Sequence, residues 1–263
     1  MPFALFIKRV DKAAPSRQSN MELTIKLFAT LKDRAGTDKI EVILAEPATV
    51  NTLLAALQKQ HPSLAASLPT TLVAVNQAFA DRETAVAAND EVALFPPVSG
   101  GSEPEPTFPY PTYFAITSED IDINAIQARL RQSDVGAIIN FTGAVRGATD
   151  RDGLPAQTIH LEYEAYNEMA IVKMGQIARE IWQKWPLIKG IAIVQRIGRL
   201  QVGETTTFVA CAAGHRDQGA FEATLYGINR LKEIVPVWKK EVGPDQSVWV
   251  EGHYRATKKD NDV

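Results

Sequence analysis

Four stretches of this sequence carry groups suited to chemistry on anions and on a carboxyl terminus. Gly214-His215-Arg216-Asp217 stands between an apolar run and a helical pattern. At such a junction free backbone N–H groups and the helix dipole favour an anion. Arg216 adds a planar fork that holds phosphate through two hydrogen bonds. His215 can donate a hydrogen bond or shuttle a proton near neutral pH. The same four residues also read as a capping motif with two solvated side chains. Lys232 and Lys239 lie seven apart across Pro236, so both ammonium groups can face one cleft. Partial burial and neighbouring cations lower a lysine's pKa and make it usable as a base; two surface lysines are the plain alternative. Arg146 closes the apolar run that begins at Ala137 and contains Phe141. The fourth stretch is Phe95-Pro96-Pro97-Val98-Ser99-Gly100-Gly101. Two glycines carry no side chain, so a tail built on them can thread a narrow channel fully extended. In this chain the carboxyl of Gly101 is held in a peptide bond to Ser102, and Ser99 to Ser102 also reads as the start of a flexible linker.

Two sets of elements must position these groups. Before the glycines, Leu23, Ile25 and Leu27 alternate with polar residues, as do Ile40, Val42 and Leu44, which predicts two strands around a turn at Ala35 to Asp38. Val50, Leu53, Leu54 and Leu57 follow helical spacing, with Thr49 as N-cap and His61-Pro62 as the stop. Leu72 to Val75 and Glu91 to Phe95 read as short buried strands. Hairpin, helix and further strands make a small α+β roll. Residues 102 to 111 are Pro-rich and form a connector, and 112–263 form the second domain. There, Ile123, Ile126 and Leu130 predict a short helix, and Gly147 to Pro155 a loop. Ile159, Leu161 and Tyr163 predict a strand. Ile171, Met174, Ala178, Ile181, Trp182 and Trp185 form a helical stripe stopped by Pro186. Ile191 to Ile197 and Thr205 to Ala213 read as strands, the latter holding Cys211 as a small buried hydrophobe. Phe221, Leu225 and Ile228 predict the buried stripe of the last helix, with Lys232 on its edge.

Composition narrows the function further. A net charge of −3 argues against a general nucleic-acid or membrane-surface binder, so any anion site is a local cluster. One cysteine excludes a disulfide framework, and the four histidines show no metal-ligand spacing. No apolar run approaches the roughly 18 residues of a membrane span. The run Pro2 to Ile7 is too short for a signal peptide. The expected location is the cytoplasm, and residues 1–20 read as a disordered extension.

The first domain, 21–101, resembles the small subunit of molybdopterin synthase. The likeness rests on Ala74-Val75-Asn76-Gln77 and on Asp90 to Gly101 with its Phe-Pro-Pro-Val-x-Gly-Gly ending. It implies a ubiquitin-like β-grasp sulfur carrier, whose terminal glycine is adenylated and converted to a thiocarboxylate. Phe141 to Arg146, Arg196-Ile197-Gly198, Gly214 to Phe221, and Leu231-Lys232 through Pro236 to Glu241 resemble the large, catalytic subunit in the family's order. That resemblance implies an α/β-hammerhead-type catalytic domain, with Lys232 and Lys239 as catalytic lysines. It implies that Arg146, His215 and Arg216 bind the anionic pterin and the carrier tail, and that Phe141 lines the pocket. Where a member of the family has an arginine two residues after Glu251, contributed across the dimer, His253 stands here, with Arg255 beyond, so that cross-subunit contact is not implied. Together the likenesses imply conversion of cyclic pyranopterin monophosphate to molybdopterin by two sulfur transfers, with no metal or redox cofactor. A homodimer through the second domain and an adenylating, sulfurating enzyme are the implied partners. The fusion implies cleavage after Gly101; the 11 residues from Ser102 to Thr112 span at most about 36 Å, so an uncut chain can also dock its own carrier. Two other readings stay open: a ubiquitin-like modifier on a non-catalytic scaffold, and a catalytic domain served by separate carriers.

Overall fold

The computed structural model describes residues 19–96, 108–150 and 153–250. The expectations on residues 1–18, on Gly100 and Gly101, on most of the connector, and on His253 and Arg255 lie outside the described residues.

The N-terminal part runs β1 (Asn20–Leu27), α1 (Thr30–Ala35), β2 (Lys39–Ala45), β3 (Ala48–Thr49), α2 (Val50–Gln60), β4 (Leu72–Val75), β5 (Ala78–Ala80), β6 (Ala85–Val86) and β7 (Val92–Phe95). The sheet order is β2-β1-β7-β4-β5, with β1 and β7 parallel. Period-2 alternation buries Leu23, Ile25 and Leu27 of β1 and Ile40, Val42 and Leu44 of β2 on one face. Helix α2 covers that face with Val50, Leu53, Leu54 and Leu57. Thr49 caps it through a reciprocal pair of bonds with Thr52, which satisfies a helix-terminal N–H. Asn76 and Gln77 both take positive φ in the β4–β5 hairpin, the geometry such two-residue turns require. Helix α1 is not foreseen in the sequence pattern; it leads into the turn expected at Ala35 to Asp38. It has six residues and buries only Leu31, too little for a helical period to show; Gly36, at φ 70°, ends it.

The C-terminal part runs β8 (Thr112–Thr117), α3 (Ile123–Leu130), β9 (Ala137–Ala144), β10 (His160–Ala165), α4 (Asn167–Lys184), β11 (Ile188–Arg196), β12 (Gly198–Gln201), β13 (Thr205–Ala213), α5 (Ala220–Ile234), β14 (Val237–Val242) and β15 (Ser247–Val250). One sheet has the order β8-β11-β13-β9, and a second has β12-β10-β14-β15. On β13 the alternation splits cleanly. Val209, Cys211 and Ala213 face α4 and α5, while Phe208, Ala210 and Ala212 face α3. Cys211 behaves as the small buried hydrophobe expected, and burial pushes its thiol up to about 12.

Two helical stripes differ from the expected ones. In α4, Met174, Ala178 and Ile181 are buried, but Ile171 is partly exposed. In α5, Ile228 is buried, but Phe221 and Leu225 are 56% and 62% exposed. The buried face consists of Ala220, Ala223, Thr224, Gly227, Ile228, Leu231 and Ile234. The cause is close approach. A Cβ on Gly227 would lie 3.0 Å from Val209 and 3.5 Å from Ile181, so the helix seats its small residues and turns its large ones outward.

The two parts meet through a third core. Ala29, Ala74, Ala93 and Phe95 pack on Tyr166, Met169 and Trp238. The ring of Phe28 stacks on Tyr166 at 5.1 Å and on Trp238 at 5.5 Å. Lys32 reaches Glu164 at 3.1 Å, and Trp249 Nε1 donates to Asp33 at 2.9 Å. Tyr166 donates its hydroxyl to Glu91, which also pairs with Lys26 at 2.7 Å. No helix among the described residues is long and apolar enough to cross a membrane.

Candidate active site

Strand β14 builds the site by alternation. Trp238 points at the N-terminal part, and the next residue, Lys239, points into a cavity of about 400 Å³. Glu241, two residues on, shares that face. Antiparallel pairing sets Tyr163 of β10 opposite Lys239 and Leu161 opposite Glu241, so these form the floor. The exposed end of β9 supplies Phe141, Gly143 and, just past the strand, Arg146. Gly143 keeps that wall thin; a Cβ there would come within 3.1 Å of Thr206 Oγ1. Helix α5 delivers Lys232 from above.

Three cations and one carboxylate therefore share the cavity: Arg146, Lys232, Lys239 and Glu241. Desolvation pulls Lys232 below the usual lysine pKa, although its side chain keeps solvent access. A lysine so placed gives up a proton more readily. Burial raises the phenol of Tyr163, with Thr206 as its hydrogen-bond partner. Glu241 is 2% exposed and accepts hydroxyl hydrogen bonds from Thr149, at 2.8 Å, and from Thr158.

His215 and Arg216 stand elsewhere. Within one chain they lie past the far end of β13. Thr207 pairs with Gly143 at the cavity, and Ala213 with Ala137 at the other end, about 20 Å along the strand. Arg216 donates to His215 Nε2 at 3.2 Å, which leaves Nδ1 as the donor to Asp217 at 2.6 Å. That hydrogen bond holds Asp217 below the usual carboxylate range. Gly219, at φ 85°, turns the chain into α5 with Trp185 against it. The strand-end and helix-start setting expected for these residues is present, but their meeting with Lys232 and Lys239 is not made inside one chain.

Sequence reasoning overlooked Glu241, Tyr163, Thr149 and Thr206 as cavity residues. The period-2 relation between Lys239 and Glu241 was the available signal. The threonines had none, since only the fold brings them to β14. Among the described residues no three His, Cys, Asp or Glu side chains group as metal ligands.

The fold and cavity define a β-grasp carrier joined to a mixed α+β catalytic unit whose pocket is lined by lysine and arginine. Residues 25–101 match the ThiS family model, and residues 116–234 match that of the MoaE protein. The molybdopterin synthase catalytic subunit of Bacillus subtilis is 40% identical over 137 residues, covering 52% of this chain and 83% of that protein. That of Nostoc sp. is 42% identical over 138 residues, covering 52% and 81%. That of Taeniopygia guttata is 35% identical over 139 residues, covering 53% and 86%. The crystal structure of molybdopterin synthase from Staphylococcus aureus is 41% identical, covers 52% of this chain and 96% of that one, and superposes with a TM-score of 0.48. The chain belongs to the molybdopterin synthase catalytic subunit family, here with a ThiS-type carrier fused ahead of it. Its role lies in molybdopterin biosynthesis, and it is an enzyme.

Proposed function

We propose that this chain is a self-contained molybdopterin synthase, converting cyclic pyranopterin monophosphate to molybdopterin with sulfur carried as a thiocarboxylate on Gly101. One observation carries the reading. Phe95, at the end of the carrier's last strand, packs on Trp238 at 5.6 Å, and the next residue, Lys239, lines the cavity. The six further residues from Pro96 to Gly101 span up to about 20 Å, enough to enter it. The division at 21–101, 102–111 and 112–263 follows from the same reading.

In this mechanism the thiocarboxylate sulfur attacks an electrophilic carbon of the pterin side chain. A C–S bond forms as the oxygen borne by that carbon leaves, as the phosphate-ester oxygen or, once protonated, as water, and Gly101 becomes a thioester acyl group. Water then attacks the acyl carbon and breaks its bond to sulfur. The sulfur stays on the pterin, and Gly101 is left as a carboxylate. A second carrier repeats the step to complete the dithiolene. Lys232 and Lys239 move protons and stabilise the developing negative charge. Arg146, His215 and Arg216 anchor the phosphate, with Phe141 against the substrate. A free carboxylate at Gly101 requires cleavage before Ser102 and an adenylating, sulfurating partner. No metal or redox cofactor is invoked for the transfer itself.

A homodimer brings His215 and Arg216 into this scheme. Strand β9 is a sheet edge, with Phe141, Phe221 and Leu225 exposed beside it. Two-fold antiparallel pairing of such an edge sets the Ala137 end of one copy against the Ala144 end of the other. The partner's anion-binding loop then approaches the cavity that its own chain leaves distant.

The test is molybdopterin formation by chain purified from its native host, with intact mass measured alongside. A split after Gly101, with part of the small fragment heavier by the difference between sulfur and oxygen, is expected. A Gly101→Trp chain with full activity, or a well-folded Lys232→Ala chain with unchanged product formation, overturns the proposal; the latter points to a scaffold carrying a modifier.

A further inference from the structure

We infer that Glu241 is a positioning residue: its carboxylate ties the loop between Arg146 and β10 onto β14, and so sets the wall of the substrate cavity. The inference rests on the cavity being the substrate site. Its structural part can be tested without that assumption.

Several contacts converge on this tie. Glu241 Oε1 accepts from Thr149 on the outgoing arm of the loop and from Thr158 on the returning arm. The arms are bonded to each other through Thr149 N to Ala156 O at 3.1 Å and Thr158 N to Gly147 O at 3.0 Å. Gly243, two residues beyond Glu241, seats the returning arm. A Cβ at that position would lie 2.5 Å from Pro155 and 2.8 Å from the Gln157 carbonyl. One arm begins directly after Arg146, and Thr149 itself lines the cavity. A carboxylate that is 2% exposed offers little surface to a ligand. Its oxygen is already engaged by two hydroxyls, and charged acceptors make the stronger hydrogen bonds. The arrangement suits holding a wall in place better than proton transfer. An anionic substrate also gains nothing from direct contact with this group, whereas it gains from a correctly placed Arg146 and Thr149.

The experiment uses the full chain and three perturbations that reach the loop by different routes. These are the Thr149→Val/Thr158→Val double variant, Glu241→Ala, and Gly243→Ala, which leaves the carboxylate untouched. Amide hydrogen exchange at Thr149 and Thr158 should quicken about tenfold or more in each, while α4 core amides such as Ile177 keep their protection. In synthase assays KM for the pterin substrate should rise about tenfold, with kcat within about threefold of wild type. The Glu241→Ala/Gly243→Ala chain should be no worse than the worse single variant, because both act on one loop. Unchanged exchange in the threonine double variant refutes the tie. A collapse of kcat at unchanged KM in Glu241→Ala refutes it too, and makes Glu241 a reacting group. If wild-type chain forms no molybdopterin, the proposed function fails, while the exchange measurements still decide the structural tie.

Discussion

Docking of the carrier on its own catalytic unit should depend measurably on Phe28. This ring belongs to the carrier and is only partly buried. It stacks at an interplanar angle of 26° on both Tyr166 and Trp238 of the catalytic unit. Each aromatic pair contributes about 0.5–1.5 kcal/mol beyond burial, so Phe28→Ala removes about 1–3 kcal/mol of docking energy. At about 1.4 kcal/mol per decade this weakens association by about 5- to 150-fold. The carrier's own core, built on Leu23, Ile25, Leu53 and Leu94, does not include Phe28. Carrier stability should therefore change far less than affinity. The assay is calorimetric titration of carrier ending at Gly101 against the catalytic unit, with thermal unfolding of each as control. A shift below about threefold, with both partners folded, would falsify the claim that the aromatic contact holds the two units together.

Three further outcomes follow from particular contacts. Gly219→Ala forces a side chain into positive φ and within 2.4 Å of Trp185, so about 2–4 kcal/mol of stability should be lost in denaturant titration. Desolvation lowers the Lys232 pKa; if its neutral amine accepts the proton, kcat/KM rises with pH to a midpoint below the usual lysine value, and Lys232→Arg removes that limb. Burial alone would raise Glu91, but the hydrogen bonds from Lys26 and Tyr166 outweigh it and leave its pKa lowered. A carboxylate lowered in this way stabilises the folded chain above its unfolded-state pKa and ceases to do so as pH falls through the lowered value. Stability in denaturant titration should therefore drop on the acid side of the carboxylate range, and Glu91→Gln should flatten that dependence.

The apolar face of each long strand was legible in the residues themselves, because alternation is a local property of the extended backbone. The cap at Thr49 and the stop at Pro186 were legible because capping and proline chemistry are equally local. So were the motifs that mark the two family likenesses, since each lies within a few consecutive residues. Helix α1 escaped because six residues with one buried position show no period. The outward turn of Phe221 and Leu225 escaped because helical spacing gives a stripe's period but not its rotation. That rotation was settled by how closely Gly227 lets α5 approach Val209. Lys232 and Lys239 reach one cavity because a helix and a strand from different layers converge on it. His215 and Arg216 are carried away because the extended β13 separates the two ends of the sheet. Glu241 acquires its threonine partners only when the loop folds back across β14. Sequence alone thus determined which groups are available and which local element bears each one. Tertiary structure decided which of them meet, because that depends on distances between elements far apart in the chain.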